Sequence, residues 1–137
     1  MKSIFFALAA LFFISSHVSA TELTNFPKNS VIVVATPGFA WAAEDVSKIL
    51  GVRAVPLDVA LIEAAEIAEA DENVKGVVEI EINLGQFYEN VIAICRNDNG
   101  QELWREKRML NFGGGSDKLA RDMVRGLITK IKGKKCP

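Results

Sequence analysis

Apolar and polar positions along this chain repeat with two different periods, and the changes of period outline its elements. Val31 to Ala35 is an unbroken apolar run, mostly β-branched and closed by Thr36-Pro37-Gly38, which predicts a strand buried on both faces. The spacing then becomes helical. Ala42, Val46, Ile49 and Leu50 share one side, Glu44, Asp45 and Lys48 the other, and Gly51 stands just past the end. Val52 to Leu57 predicts a second short strand, and two strands joined through a helix predict a parallel pair.

Asp58 is placed to cap a second helix running from Val59 to about Ala70, with its alanines and Leu61, Ile62, Ala65 and Ala68 turned inward and Glu63, Glu66 and Glu69 on its wet side. From Val74 the period is two. Val78, Ile80, Ile82 and Leu84 face a core, while Val77, Glu79, Glu81 and Asn83 face water. After a turn through Gly85 to Asn90, Val91 to Cys95 is another apolar strand. Asn97-Asp98-Asn99-Gly100 then predicts a tight hairpin to a partner strand, Gln101 to Leu110. Gly113-Gly114-Gly115 interrupts the pattern as a flexible entry, and Ser116 caps a last helix. Its stripe of Leu119, Ala120, Met123, Val124, Leu127, Ile128 and Ile131 is the clearest in the chain. The order β-α-β-α-β-β-β-α predicts an α+β fold, a single mixed sheet with helices packed on it, and residues 21–137 as one domain.

The first twenty residues lie outside that domain. Lys2, the apolar run Ile4 to Ile14 and the small-residue ending Val18-Ser19-Ala20 predict a secretory signal peptide, residues 1–20, that is cleaved. The run stops at Ser15, short of the roughly 20 apolar residues that a membrane span requires. Ala20 and Thr21 leave no cysteine at the cleavage point for a lipid anchor. The expectation is therefore a periplasmic or secreted protein with no membrane span.

Composition narrows the chemistry. Of 137 residues half are hydrophobic, with 16 basic against 17 acidic, which excludes disordered and collagen-like chains. The only histidine is His17, inside the expected leader. Its removal excludes Ser-His-Asp and Cys-His catalysis, histidine metal sites and histidine pH sensing from the mature chain. No cofactor is expected. Cys95 and Cys136 form an even pair in an oxidising compartment and favour a disulfide over a buried free thiol or an intermolecular link. The last helix must run parallel to the strand ending at Cys95, which brings Cys136 to the same end of the sheet.

Charge is unevenly spread: residues 21–90 carry 12 acidic and 4 basic side chains, and residues 91–137 carry 5 acidic and 11 basic. The basic excess concentrates in Lys130, Lys132, Lys134 and Lys135. These complement the negative end of the last helix, or offer a contact to an acidic envelope protein or an anionic envelope surface. Nucleic acid is disfavoured by export, net negative charge and the lack of aromatics among the basic residues. Trp41 and Trp104 read first as core residues; if exposed, they and Arg105 join the lysine tail as the interface candidates. Glu79 with Glu81, and Glu63 with Glu66, are carboxylate pairs at positions that belong to solvent, so catalysis is not expected from them. The glycine run before Ser116 lacks the ending of a phosphate loop.

Four segments carry a family likeness: the Val31-Ile32-Val33-Val34 strand, the helix ending Leu50-Gly51-Val52, the Ala-rich second helix, and Asp98-Asn99-Gly100-Gln101-Glu102-Leu103-Trp104 before a final amphipathic helix. In that order they resemble the amino-terminal domain of TolB and the related CsgG-type and penicillin-binding-protein-activator lipoproteins of the bacterial envelope, over most of residues 30–132. The resemblance implies a non-enzymatic periplasmic module that binds other envelope proteins. The absent lipid-attachment cysteine departs from the lipoprotein members. The alternatives from other classes are a periplasmic hydrolase using carboxylates or Ser116, which needs a concave site holding a perturbed carboxylate, and a carrier of a small apolar ligand, which needs an apolar cavity.

Overall fold

The β-branched run near the start forms β1 (Ser30–Ala35), and Thr36-Pro37-Gly38 turns the chain into α1 (Ala40–Leu50). There follow β2 (Ala54–Pro56), α2 (Leu61–Ala70), β3 (Val74–Asn83), β4 (Tyr88–Asn97), β5 (Glu102–Asn111) and α3 (Asp117–Ile131), so the element order is the expected one. The structure is a computed structural model, described here for residues 25–85, 87–111 and 114–137. The expected leader with His17, and Gly113, lie outside the described residues. Among those residues no helix is long and apolar enough to cross a membrane.

The five strands form one sheet in the order β2-β1-β3-β4-β5. β1 runs parallel to β2 and β3, and β3-β4-β5 is an antiparallel meander. Helices lie on both faces, as parallel strands require. On one face α1 and α3 bury Ala42, Val46, Ala120, Met123, Val124, Leu127 and Ile131 against Val31, Val33, Val78, Ile80, Ile82, Val91, Ala93 and Cys95. On the other, α2 covers Ile32, Val34, Val74 and Val77 with Ala64, Ala68 and the half-buried Ile67. β1 is thus buried on both faces, which is why its sequence shows no alternation.

Local chemistry sets several boundaries as expected. Ser116 accepts the Leu119 N–H at 3.2 Å and caps α3. The Asn97 side chain accepts the Asn99 and Gln101 amides at 3.0 and 2.9 Å, and Gly100 takes the positive φ of 83° that closes the β4-β5 hairpin.

Other expectations are corrected. Asp58 does not cap α2; the helix starts at Leu61 behind an extended Ala60 with no side-chain cap. Its inward stripe is Ala64, Ile67 and Ala68, while Leu61, Ala65 and Ile62 are exposed, Ile62 by 72%. Glu63, Glu66 and Glu69 mark one side of this helix, and the side opposite them, through Ala64 and Ala68, is the one that packs; Ile62 falls among the glutamates and so stays in water. Two alanines one turn apart give the closest approach to the sheet, and packing chose that side. β4 begins at Tyr88, inside the segment expected to be a turn, and brings Glu89 into the alternation of Val91, Ala93 and Cys95.

Candidate functional site

At the end of the sheet where β4 finishes, Cys95 and Cys136 are joined in a disulfide, their Cα atoms 5.7 Å apart. Further contacts pin the segment after α3. Trp104 Nε1 donates to the Lys135 carbonyl at 2.9 Å, and Lys134 pairs with Glu106 at 3.3 Å, its ammonium 5.8 Å from the centre of the Trp104 ring. Gly76 leaves room for Pro137: a Cβ there would lie 3.3 Å from the proline ring and 2.7 Å from the Arg96 carbonyl. Four residues of tail, 134–137, are therefore fixed against the sheet end.

Facing this tail is the loop between α1 and β2. Together they enclose an open groove of about 740 Å³, whose walls include Leu50, Val52, Arg53, Ala54, Lys75, Asp98, Lys134, Lys135 and Cys136. Val52 is 98% exposed beside Arg53. Lys134 is paired, whereas Arg53, Lys75 and Lys135 have no carboxylate within 4.0 Å among the described residues. Asp98 is the one acidic side chain on the wall.

The structure brings together only part of the expected interface. Trp104, Lys134 and Lys135 meet at this groove. Lys130 lies along the β5 edge, donating to the Lys107 carbonyl at 2.7 Å, and Lys132 is exposed at the end of α3. Trp41 is half-buried at the start of α1, edge-on to Phe39 with ring centres 6.2 Å apart, and the Arg121 guanidinium covers it at 4.4 Å. Arg105 lies on the opposite face of β5 from Trp104, since neighbouring strand residues alternate sides. It binds Glu102 at 2.7 Å, which lowers the Glu102 pKa and raises that of Arg105.

A second concavity, of about 210 Å³, sits at the other end of β1, lined by Val34, Ala35, Thr36, Pro37, Leu61, Glu79, Ile80 and Glu81. Glu79 is only 5% exposed, which corrects its expected place in water. It lies opposite Ile94 of β4 and shares the concavity with Leu61 of α2. Burial, then a hydrogen bond and charge repulsion from Glu81, push its pKa up to about 7, against the pull of Arg96 and Arg105. Its Oε2 is buried with no hydrogen-bond partner among the described residues.

Sequence reasoning also missed Arg53, Lys75 and Glu89. Glu89 is fully buried, and its Oε1 accepts the Gly115 amide at 2.6 Å just ahead of the α3 N-terminus, where the helix dipole favours a carboxylate. Its two-residue spacing from Val91 was the available signal. Nothing comparable marked Arg53 or Lys75, which lie far apart in sequence.

Fold and groove together describe a sheet sandwiched by helices, with a disulfide-clamped basic groove at one end. No protein-family model matches the chain, and no curated protein matches it. Among solved structures the chain is similar to the PelC dodecamer from Paraburkholderia phytofirmans, at 16% identity and a TM-score of 0.49, covering 82% of this chain and 93% of that one. A singly substituted PelC dodecamer from the same organism matches at 14% identity and a TM-score of 0.49, over 80% of this chain and 92% of that one.

Proposed function

We propose that this chain is a non-enzymatic protein-interaction module exported to the bacterial cell envelope, as its resemblance to TolB-type and CsgG-type domains implies. One observation carries the reading: a disulfide fixes the basic tail beside Trp104, so that cations from three separate segments face one groove. A disulfide on a small domain fits an oxidising, extracytoplasmic compartment. A tail whose backbone is already held at the sheet end loses less entropy on binding than a free one, which favours recognition. The test is cross-linking in the native envelope. The wild-type chain is expected to capture a defined protein, and replacing Lys130, Lys132, Lys134 and Lys135 with Gln to diminish that capture. Equal capture by the substituted chain would discard the tail as the contact.

A second reading, hydrolysis by carboxylates, draws support from Glu79, a perturbed acid beside Glu81 in a concave site. It is the weaker reading because the free oxygen of Glu79 is sealed from solvent, and an acid must reach the atom it protonates. Turnover of any ester or glycoside that is lost in Glu79→Gln would reverse this ranking.

A further inference from the structure

We infer that the basic groove binds an extended acidic peptide segment with apolar side chains among its acidic ones, and that the disulfide builds this site; the inference rests on the interaction-module reading above. Arg53 comes from the α1-β2 loop, Lys75 from the start of β3 and Lys135 from the tail, and none has an acidic partner within 4.0 Å among the described residues. Cations from segments so far apart in sequence, converging on one concavity, sum their fields over it, and a concave wall concentrates that field. Glu106 neutralises Lys134 and Asp98 offsets one of the other three cations, which leaves a surplus of two positive charges shared among Arg53, Lys75 and Lys135.

The walls are also apolar. Val31, Leu50, Val52, Ala54 and Cys136 line the same space, and Val52 holds almost its entire side chain in water. An aliphatic side chain so placed gains by burial, at about 25 cal/mol per Å² of apolar surface removed from water. An anionic glycan offers only the C–H faces of its rings to such walls, less apolar surface than leucine side chains. A peptide carrying both leucine and glutamate satisfies both kinds of wall. The groove's volume of about 740 Å³ falls within the roughly 300–1,000 Å³ range of sites that enclose small ligands.

The clamp supplies the conditional part. Lys134, Lys135 and Cys136 form one wall, held there by the Cys95–Cys136 bond and by the Trp104 contact with the Lys135 carbonyl. Breaking the disulfide removes the one covalent restraint and leaves that wall on the Trp104, Glu106 and Gly76 contacts alone, so that Lys135 is held less firmly opposite Arg53 and Lys75.

The experiment measures fluorescence anisotropy of a labelled octapeptide of alternating glutamate and leucine, titrated with the oxidised chain. Saturable binding is expected, weakening as salt rises because exposed charges are screened. Arg53 is exposed, Lys75 is half-buried at the start of β3, and neither belongs to the apolar core; Arg53→Glu and Lys75→Glu are each expected to weaken binding by roughly tenfold, with circular dichroism checking that each variant folds. Arg125→Glu, on the solvent side of α3, is expected to leave binding as it was. Reduction of the disulfide is expected to weaken binding, with circular dichroism reporting whether the chain stays folded. Equal affinity for an octapeptide of alternating glutamate and serine, or for an oligogalacturonate of equal charge, would overturn the inference in favour of general polyanion attraction. Unchanged affinity in both Arg53→Glu and Lys75→Glu would overturn it as well. If the peptide fails to bind while the envelope cross-link of the wild-type chain persists, the inference falls and the module reading stands.

Discussion

On one face of the sheet α1 and α3 lay apolar stripes over β1, β3 and β4; on the other, α2 packs chiefly on β1 and β3. Beyond α2, Ile92 and Ile94 are nonetheless buried, at positions flanked across the register by Glu79, Glu81, Arg105 and Lys107. Long charged side chains can shelter apolar surface with their stems while their heads stay in water. Near that face, Lys107 Nζ also donates to the Tyr88 hydroxyl at 3.0 Å, which lowers the Tyr88 pKa. The helix-covered face therefore rests mainly on apolar packing, with one buried carboxylate, Glu89, at its edge, whereas the partly open face mixes packing with several ionisable groups.

The largest effect tests the covered face at its edge. Reducing the Cys95–Cys136 bond, or replacing both cysteines with serine, reopens a loop of 41 residues and is expected to cost about 4 kcal/mol of stability, read from urea unfolding. Next, Leu127→Ala, in the fully buried stripe of α3, should cost about 3–4 kcal/mol, and Ile67→Ala, half-buried on α2, about half that or less. Equal costs would mean that the two faces are packed alike.

Third in size is the titration of Glu79. A carboxyl whose pKa rises from 4.5 to about 7 on folding binds its proton more tightly in the folded state. Its contribution is complete below pH 4.5, is lost as pH rises towards 7, and stays lost above it. Glu79→Gln, which imitates the protonated acid, should therefore gain about 2–3 kcal/mol on wild type between pH 4 and pH 8. A difference independent of pH would remove Glu79 from the comparison. The smallest effect is Glu102→Gln: this carboxylate is open to solvent beside Arg105, and its loss should leave the urea midpoint at pH 8 where it is.

Legibility in the sequence followed the range of the interactions. Element order, the α3 stripe, the Asn97–Gly100 hairpin and the Ser116 cap rest on contacts within a few residues, which a single period or a turn residue encodes. The pairing of Cys95 with Cys136 was also readable, because strand and helix directions leave few ways to arrange the chain ends. The orientation of α2 was readable from its glutamates, which lie opposite Ala64 and Ala68; an inward place for Ile62 was not compatible with them, and Ile62 is exposed.

Glu79 shows the limit of such reading. Its alternation with Ile80 and Ile82 placed it correctly on the second face of β3, but whether that face meets water depends on where α2 settles. The groove required more still, since Arg53, Lys75 and Lys135 become neighbours only when two crossovers and a disulfide have been made. The sequence by itself determined the elements and their sides, because periodicity is a local property. Only the tertiary structure decided which charges are buried and which converge, because burial and convergence depend on segments far apart along the chain.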